Sequence, residues 1–144
     1  MNPSFIVFTG PMFGSKTTRL MGEIDRAMYR GRKVIAFKAR KDKRYSRDKI
    51  STHSGGRVPA FCIEDAEEIF NYINKDDCNY NTLIAVDEGF MINNIDSVLI
   101  SLYRKGVSIV VSSIQLDANE VPFENIKNIL PWATKIEICP AVCT

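Results

Sequence analysis

The feature that most constrains the fold is a loop near the N-terminus, between an apolar run and a helical pattern. Residues 5–9 are apolar except for the last, which is typical of a buried β-strand. The loop and the start of the next helix comprise Gly10, Pro11, Met12, Phe13, Gly14, Ser15, Lys16, Thr17 and Thr18. This order of a strand, a glycine-containing loop, Lys-Thr and a helix predicts a P-loop. The backbone amides of such a loop and the N-terminus of the following helix bind phosphate.

The lysine and threonine of this loop suit two particular roles. Lys16 is expected to reach the β- and γ-phosphates of a nucleotide, and the Thr17 hydroxyl is expected to bind Mg²⁺. The usual spacing is G-x-x-x-x-G-K-[ST], whereas here Gly14 lies one residue early and Ser15 precedes the lysine. The alternative is an ordinary strand-turn-helix corner with a solvated lysine, but the flanking strand and helix favour the P-loop.

The composition is that of an ordinary soluble domain. The chain has 144 residues, of which 45% are hydrophobic and 25% charged, and its net charge is +2. Such a small net charge does not indicate a membrane or nucleic-acid partner. No apolar run approaches the roughly 18 residues of a membrane span, and residues 1–10 lack the features of a signal peptide. We therefore expect an intracellular, cytoplasmic protein without membrane association.

Strand and helix patterns alternate along the rest of the chain. Strands are predicted at residues 5–9, 33–38, 82–86, 107–111 and 135–138. Helices are predicted at residues 16–30, 63–75, 95–102 and 124–130, and a loop at residues 39–60. Strand, helix and strand within about forty residues make a βαβ unit with parallel strands. The fold class is therefore α/β, with a P-loop domain over residues 1–138, and residues 139–144 are a candidate for the start of a zinc-binding region.

Two adjacent acids follow one of the buried strands. Asp87 ends the apolar run at residues 82–86, and Glu88 comes next. Ligands of open parallel sheets bind outside the carboxyl ends of the strands, which is also where the P-loop lies. Asp87 is thus a candidate Walker-B aspartate that holds Mg²⁺, and Glu88 is a candidate base that accepts the proton of an attacking hydroxyl. The alternative is a pair of exposed acids in a turn.

A basic stretch and the cysteines leave further alternatives open. Residues 38–49 are rich in lysine and arginine, which suits a solvated loop, a loop near phosphate or a nucleic-acid groove. Because Tyr45 is the one aromatic residue there, nucleic acid is the weaker interpretation. Cys139 and Cys143 have C-x₃-C spacing, compatible with half of a zinc site or with two semi-buried thiols.

Together, these segments resemble the type II thymidine kinases, the family of the cellular and poxvirus enzymes. Residues 10–18 are similar to that family's G-P-M-F-S-G-K-[ST]-[ST], in which Pro-Met-Phe is more specific than a generic P-loop. The other similar segments are residues 42–45 and 50–55 (D-x-R-Y and T-H-x-G), 86–89 (D-E-[GA]-Q-F), and 122–123 with 141–143 (P-F and A-V-C). They span nearly the whole chain.

The resemblance implies an activity and assigns residues to it. It implies transfer of the ATP γ-phosphoryl group to the 5′-hydroxyl of thymidine with Mg²⁺, a RecA-like parallel sheet, a zinc-bound lasso domain and usually a homotetramer. Residues 10–18 and Arg44 would bind ATP and its phosphates, Thr17 and Asp87 would bind Mg²⁺, and Glu88 would be the base. Met12, Asp42 and Phe90 would bind the nucleoside, and Cys143 would be the first zinc ligand.

The sequence departs from the family pattern at several positions around the acceptor. The Ser-Gly order is inverted at Gly14 and Ser15, and Phe90 replaces a glutamine. Ala118 lies where an aromatic residue is expected to stack on the base, a change that would cost about 1–3 kcal/mol of base binding. Most of the zinc lasso is missing from residues 1–144. The alternative function is therefore a nucleotide-binding relative without kinase activity, and the weakest is a nucleic-acid-binding ATPase.

Overall fold

The structure is a computed structural model that describes residues 2–10, 16–40, 49–51, 57–113 and 123–139. The strands are β1 (Phe5–Thr9), β2 (Lys33–Ala39), β3 (Lys49–Ser51), β4 (Arg57–Ile63), β5 (Thr82–Asp87), β6 (Ser108–Ser112) and β7 (Lys135–Ile138). The α-helices are α1 (Lys16–Tyr29), α2 (Ile95–Arg104) and α3 (Glu124–Ile129). Short 3₁₀ helices cover Ala66–Asn71, Lys75–Asp77, Gly89–Met91 and Leu130–Trp132.

The described strands form one sheet in the order β3-β4-β2-β5-β6-β1-β7. All neighbouring pairs from β4 to β7 in this order are parallel, and β3 pairs with β4 in the antiparallel direction. Parallel strands with both faces covered are typically near-continuous apolar runs, as β5 and β6 are. The predicted α/β fold with a parallel sheet and flanking helices is confirmed.

Alternate residues of the central strands divide the core between two faces of the sheet. Phe8, Ala36, Ala85 and Val110 pack with buried residues of α1 such as Ile24. The residues one position away in each strand pack with α2 and α3 on the opposite face; they are Val7, Phe37, Val86 and Val111. Fully burying a side chain of this size contributes roughly 1.5–3 kcal/mol. The sheet is therefore fixed from both sides, and its carboxyl edge is a rigid platform.

Two sequence predictions around residue 60 are wrong. Residues 39–60 are not wholly a loop, because β4 begins at Arg57 and pairs with β2 through Ala60 and Phe61. Residues 63–75 are not one α-helix, because Ile63 ends β4 and the Ala66–Asn71 segment is a 3₁₀ helix. Of the apolar residues that suggested helical spacing, Ala66 and Ile69 are buried in the core, Ile73 is partly buried against it and Phe70 is exposed. Tertiary packing has overridden the local pattern.

The turn after β4 is held by the carboxylate of Glu68. Its Oε2 accepts hydrogen bonds from the backbone N–H groups of Glu64 and Asp65 at 2.9 and 3.0 Å, and Arg40 Nη2 donates to Oε1 at 2.9 Å. These N–H groups, and secondarily the Arg40 guanidinium, lower the pKa of Glu68 below its ordinary value.

We predict that Glu68→Gln lowers stability at neutral pH and has no effect in strong acid. A carboxyl whose folded pKa is lowered contributes stability above its unfolded pKa, near 4.3, and this contribution is lost as the pH falls through the folded value. Because the site is partly solvated, we expect the free energy of unfolding at pH 7 to fall by only about 0.2–1 kcal/mol. Denaturant titrations of both proteins at pH 7 and near pH 3 measure this; an equal difference at both pH values would contradict it.

Candidate active site

The carboxyl ends of three adjacent strands form the platform of the site. β5 ends at Asp87, β6 at Ser112 and β1 at Thr9, with β6 between the other two. Two strand spacings separate β1 from β5, which is about 10 Å. The loop that follows β1 and the acids that end β5 therefore leave the same edge of the sheet, where ligands of parallel sheets bind.

Gly10 begins the loop in a conformation that requires glycine. Its φ is +142°, and a Cβ on this residue would overlap the carbonyl oxygen of Cys139. The neighbouring backbone is hydrogen bonded, since the N–H of Cys139 donates to the carbonyl oxygen of Thr9 at 2.7 Å. The chain thus leaves β1 in close contact with the backbone that follows β7.

We predict that Gly10→Ala destabilises the protein by more than about 2 kcal/mol, because the substitution adds both backbone strain and a clash with a main-chain atom. Gly31→Ala is the matched control. Gly31 also has a positive φ, +73°, but a Cβ there would meet no atom within 4 Å. Strain without a clash should cost about 1 kcal/mol. Thermal and denaturant unfolding compare the two, and equal losses would show that the contact with Cys139 does not matter.

Lys16 is the first residue of α1 and is buried. Thr17 is partly buried and Thr18 is exposed beside it. The first turn of α1 contains no acidic residue, so the positive end of its dipole is not neutralised by its own side chains. Pro11, Met12, Phe13, Gly14 and Ser15 lie outside the described residues. The structure therefore describes both ends of the predicted P-loop.

Asp87 is held by a neighbour that the sequence analysis did not single out. Its carboxylate is 2% exposed, and Oδ1 accepts a hydrogen bond from Ser112 Oγ at 2.7 Å. The parallel register pairs the two residues directly across β5 and β6. A signal was present in the sequence, since Ser112 and Ser113 end an apolar run, but assigning the partner required the order of the strands.

Glu88 has a strained backbone next to this carboxylate. Its φ and ψ are 56° and 50°, the left-handed region, which is uncommon for a residue other than glycine. It is only 9% exposed. The next residue is confined, because a Cβ on Gly89 would lie 2.9 Å from Val111 Cγ2. Asp87 and Glu88 are thus buried, and the alternative of two exposed acids is wrong. Strain of this kind is often retained at functional sites.

Phe90, predicted to bind substrate, is part of a small aromatic contact. Its ring centroid lies 4.8 Å from that of Phe123, and its N–H donates to Ser113 Oγ at 3.0 Å. Asn125 Nδ2 donates to the carbonyl oxygen of Phe90 at 3.4 Å. The ring is therefore positioned by α3 and by the end of β6. The other predicted substrate and phosphate ligands, Asp42 and Arg44, lie outside the described residues.

Lys38, the first residue of the basic stretch, lies in β2, as the predicted strand at residues 33–38 indicates. It is only 4% exposed, which is unusual for a lysine. Thr9, at the end of β1, is also completely buried, and within the described part of the chain its hydroxyl has no hydrogen-bond partner. Both polar groups lie at the carboxyl ends of strands that border the site.

The donor atoms at this edge suit a hard divalent cation and a phosphate. The Thr17 hydroxyl and the Asp87 carboxylate are oxygen ligands of the kind that Mg²⁺ prefers. Lys16 and the N-terminus of α1 suit phosphate oxygens. Within the described residues, no three histidine, cysteine or acidic side chains are grouped so that they could hold a metal by themselves. Cys139 is a buried free thiol, and Cys143 lies outside the described residues.

None of the helices in the described part of the chain has the length and apolar content needed to cross a membrane.

Comparison with known proteins shows the family to which the chain belongs. The family model "Thymidine kinase" matches residues 4–144. A thymidine kinase of Thermococcus kodakarensis is 34% identical over an alignment 148 residues long, gaps included. The alignment covers 96% of this chain and 71% of that protein. Thymidine kinases of Pyrobaculum aerophilum and Mesomycoplasma hyopneumoniae are 31% and 32% identical, each over 96% of this chain and 74% of the relative. Membership of the family implies ATP, a divalent metal ion and a nucleoside substrate. The chain belongs to the thymidine kinase family.

Proposed function

We propose that this protein transfers the γ-phosphoryl group of ATP to the 5′-hydroxyl of a deoxynucleoside, and that thymidine is its substrate. The observation that carries the proposal is the convergence of a buried lysine at the start of α1 and a buried Asp87-Glu88 pair on one edge of the sheet. Family membership supports the same chemistry, and the named relatives are thymidine kinases.

Each described residue of the site has a role in this reaction. Lys16 and the N-terminus of α1 would bind and orient the triphosphate. Thr17 and Asp87 would hold Mg²⁺, which supplies charge neutralisation to the phosphate oxygens when bound. Ser112 keeps the Asp87 carboxylate in place through its hydrogen bond. Positioning and electrostatic stabilisation would thus supply most of the catalysis.

Glu88 would move the proton. The 5′-oxygen forms a bond to the γ-phosphorus, the bond from that phosphorus to the β–γ bridging oxygen breaks, and ADP leaves. The hydroxyl proton passes to the Glu88 carboxylate as the new bond forms. The left-handed backbone of Glu88 fixes the direction in which the side chain leaves the end of β5. Because the carboxylate is largely buried, little bulk water competes for its proton.

The remaining assignments belong to the same proposal. The backbone of residues 10–18 and Arg44 would bind the phosphates, and Met12, Asp42 and Phe90 would contact the nucleoside. The contact between Phe90 and Phe123 supports a role for that ring in shaping the acceptor pocket. A zinc ion held through Cys143 and a homotetramer are further parts of the proposal, checked by metal analysis and light scattering.

The function is tested by incubating the protein with Mg·ATP and each common deoxynucleoside, and measuring the monophosphate. We expect thymidine monophosphate from the wild type and at least about 100-fold slower formation of it by Lys16→Ala. No product from any nucleoside, while ATP still raises the melting temperature, would overturn the kinase assignment in favour of a nucleotide-binding protein. Product from another nucleoside alone would overturn the choice of thymidine.

A further inference from the structure

A row of paired residues crosses the sheet near the carboxyl ends of its strands, at the edge that contains the site. The parallel registers pair Cys62 with Lys38, Lys38 with Asp87, Asp87 with Ser112, and Ser112 with Phe8. Residues paired in this way have side chains on the same face of the sheet. The row therefore places the buried lysine of β2 beside the buried aspartate of β5, with the serine of β6 on the aspartate's other side.

This row faces the helix that begins at Lys16. The residues two positions earlier in the same strands, Ala36, Ala85 and Val110, pack in the core cluster that contains Leu20 and Ile24 of α1. Side chains two residues apart in a strand point to the same face. Lys38, Asp87 and Ser112 thus lie on the α1 face, above the last apolar layer and at the level where the phosphate loop leaves β1.

The burial of the Lys38 side chain indicates that an opposite charge lies close to it. A lysine that is only 4% exposed loses most of its hydration, and such a charge is retained when an opposite charge compensates it. Adjacent strands are roughly 5 Å apart, so Asp87 is the carboxylate that the register places next to it. Glu137 in the same row lies four strands away on β7 and forms an ion pair with Arg19.

The same strand contains a lysine with a purely structural ion pair. Lys33, at the amino end of β2, donates to Asp77 Oδ1 at 2.8 Å, and its side chain is 55% exposed. Lys33 and Lys38 therefore carry the same charge and belong to the same strand, but they lie at opposite ends of that strand. Only Lys38 is at the edge that contains the site.

We propose that Lys38 is a positioning residue for phosphoryl transfer, in which its buried ammonium group and the Ser112 hydroxyl together fix the Asp87 carboxylate where it holds the divalent cation. This inference rests on the proposed function and assigns to the reaction a residue outside the P-loop and the Asp-Glu pair. Groups that orient a metal ligand in this way typically affect metal affinity or activity by about 10–100-fold.

The test compares Lys38→Met, Lys38→Arg and Lys33→Met. Calorimetry measures ATP affinity with Mg²⁺ and with EDTA, and steady-state kinetics measures kcat and KM. For Lys38→Met we expect ATP affinity in EDTA to be unchanged and the increase in affinity on adding Mg²⁺ to fall about 10–100-fold. We expect kcat to fall by a similar factor while the KM for the nucleoside changes little. Lys38→Arg should recover most of the loss.

The control separates a positioning role from a structural one. Lys33→Met should lower the melting temperature and leave both the Mg²⁺-dependent affinity and kcat at wild-type values. If Lys38→Met behaves in the same way, the proposal is overturned. Should Lys38→Met not fold, Lys38→Gln, which keeps a long polar side chain without the charge, is judged by the same two criteria. A wild type that binds Mg·ATP but phosphorylates no nucleoside would refute the kinase function, and the affinity measurements would still decide the role of Lys38.

Discussion

Replacing Lys16 by alanine is expected to reduce phosphoryl transfer by about 10²–10³-fold or more. Lys16 is buried at the start of α1, where a cation and the helix N-terminus act on the same triphosphate. In the transition state, charge is spread over the three equatorial oxygens of the transferring group. Removing one well-placed donor to such oxygens costs roughly 10²–10³ in rate. The loss should appear in kcat and in ATP affinity, since the triphosphate is bound by the same group before and during transfer.

Lys127→Ala is the matched control for this change. Lys127 is an exposed lysine of α3, so its removal alters the net charge by the same amount away from the site. Initial-rate kinetics and circular dichroism on the three proteins make the comparison. A Lys16→Ala protein that is folded and turns over at the wild-type rate would remove the phosphate-binding assignment.

Glu88→Gln is expected to lower kcat by about 10²–10⁴-fold while ATP affinity stays close to that of the wild type. Glutamine has nearly the same shape and keeps a carbonyl oxygen, but it cannot accept the hydroxyl proton. General-base catalysis typically contributes a factor of this size. Because Glu88 precedes the confined Gly89, a substitution of similar size is needed to keep the local backbone in place.

Glu67→Gln controls for the loss of a negative charge. Glu67 is exposed in the turn after β4, whereas Glu88 is largely buried. Single-turnover kinetics with ATP and thymidine separates the chemical step from binding and product release. If Glu88→Gln keeps a rapid chemical step, the proton acceptor must be another group.

The parts of the fold that could be predicted are those whose local pattern and final environment agree. The strands at 5–9 and 135–138 have the predicted bounds, β5 extends one residue beyond its predicted end, and β6 is shifted by one residue at both ends. β1, β5 and β6 are largely apolar runs, and the parallel sheet buries such runs on both faces. β7 alternates charged and apolar residues and is mostly exposed at the edge of the sheet. The predicted end of α1 near Gly31 also agrees, since that residue has the positive φ of a helix terminus.

The parts that could not be predicted depend on contacts distant in sequence. β4 contains Pro59 and follows a glycine-rich segment, so its local signals favour a loop, yet its carboxyl half completes the sheet beside β2. Met28 fits the apolar period of α1 but is exposed. The pairings of Asp87 with Ser112 and with Lys38 exist because of the strand order, which no short pattern contains. The acids and the lysine of the site were visible in the sequence, and the groups that position them were not.

The position of β1 in the sheet affects when the protein can fold during its synthesis. β1 leaves the ribosome before the other described strands, but it pairs with β6 and β7, and the hydrogen bond from the Phe5 N–H to Thr134 Oγ1 spans 129 positions in sequence. Pairings of such long range are slow to form. A nascent chain that stops before residue 108 has neither neighbour for β1, so its phosphate loop has no platform. ATP therefore has no complete site before β6 has been synthesised and paired with β1, so nucleotide binding follows the pairing of strands that are distant in sequence.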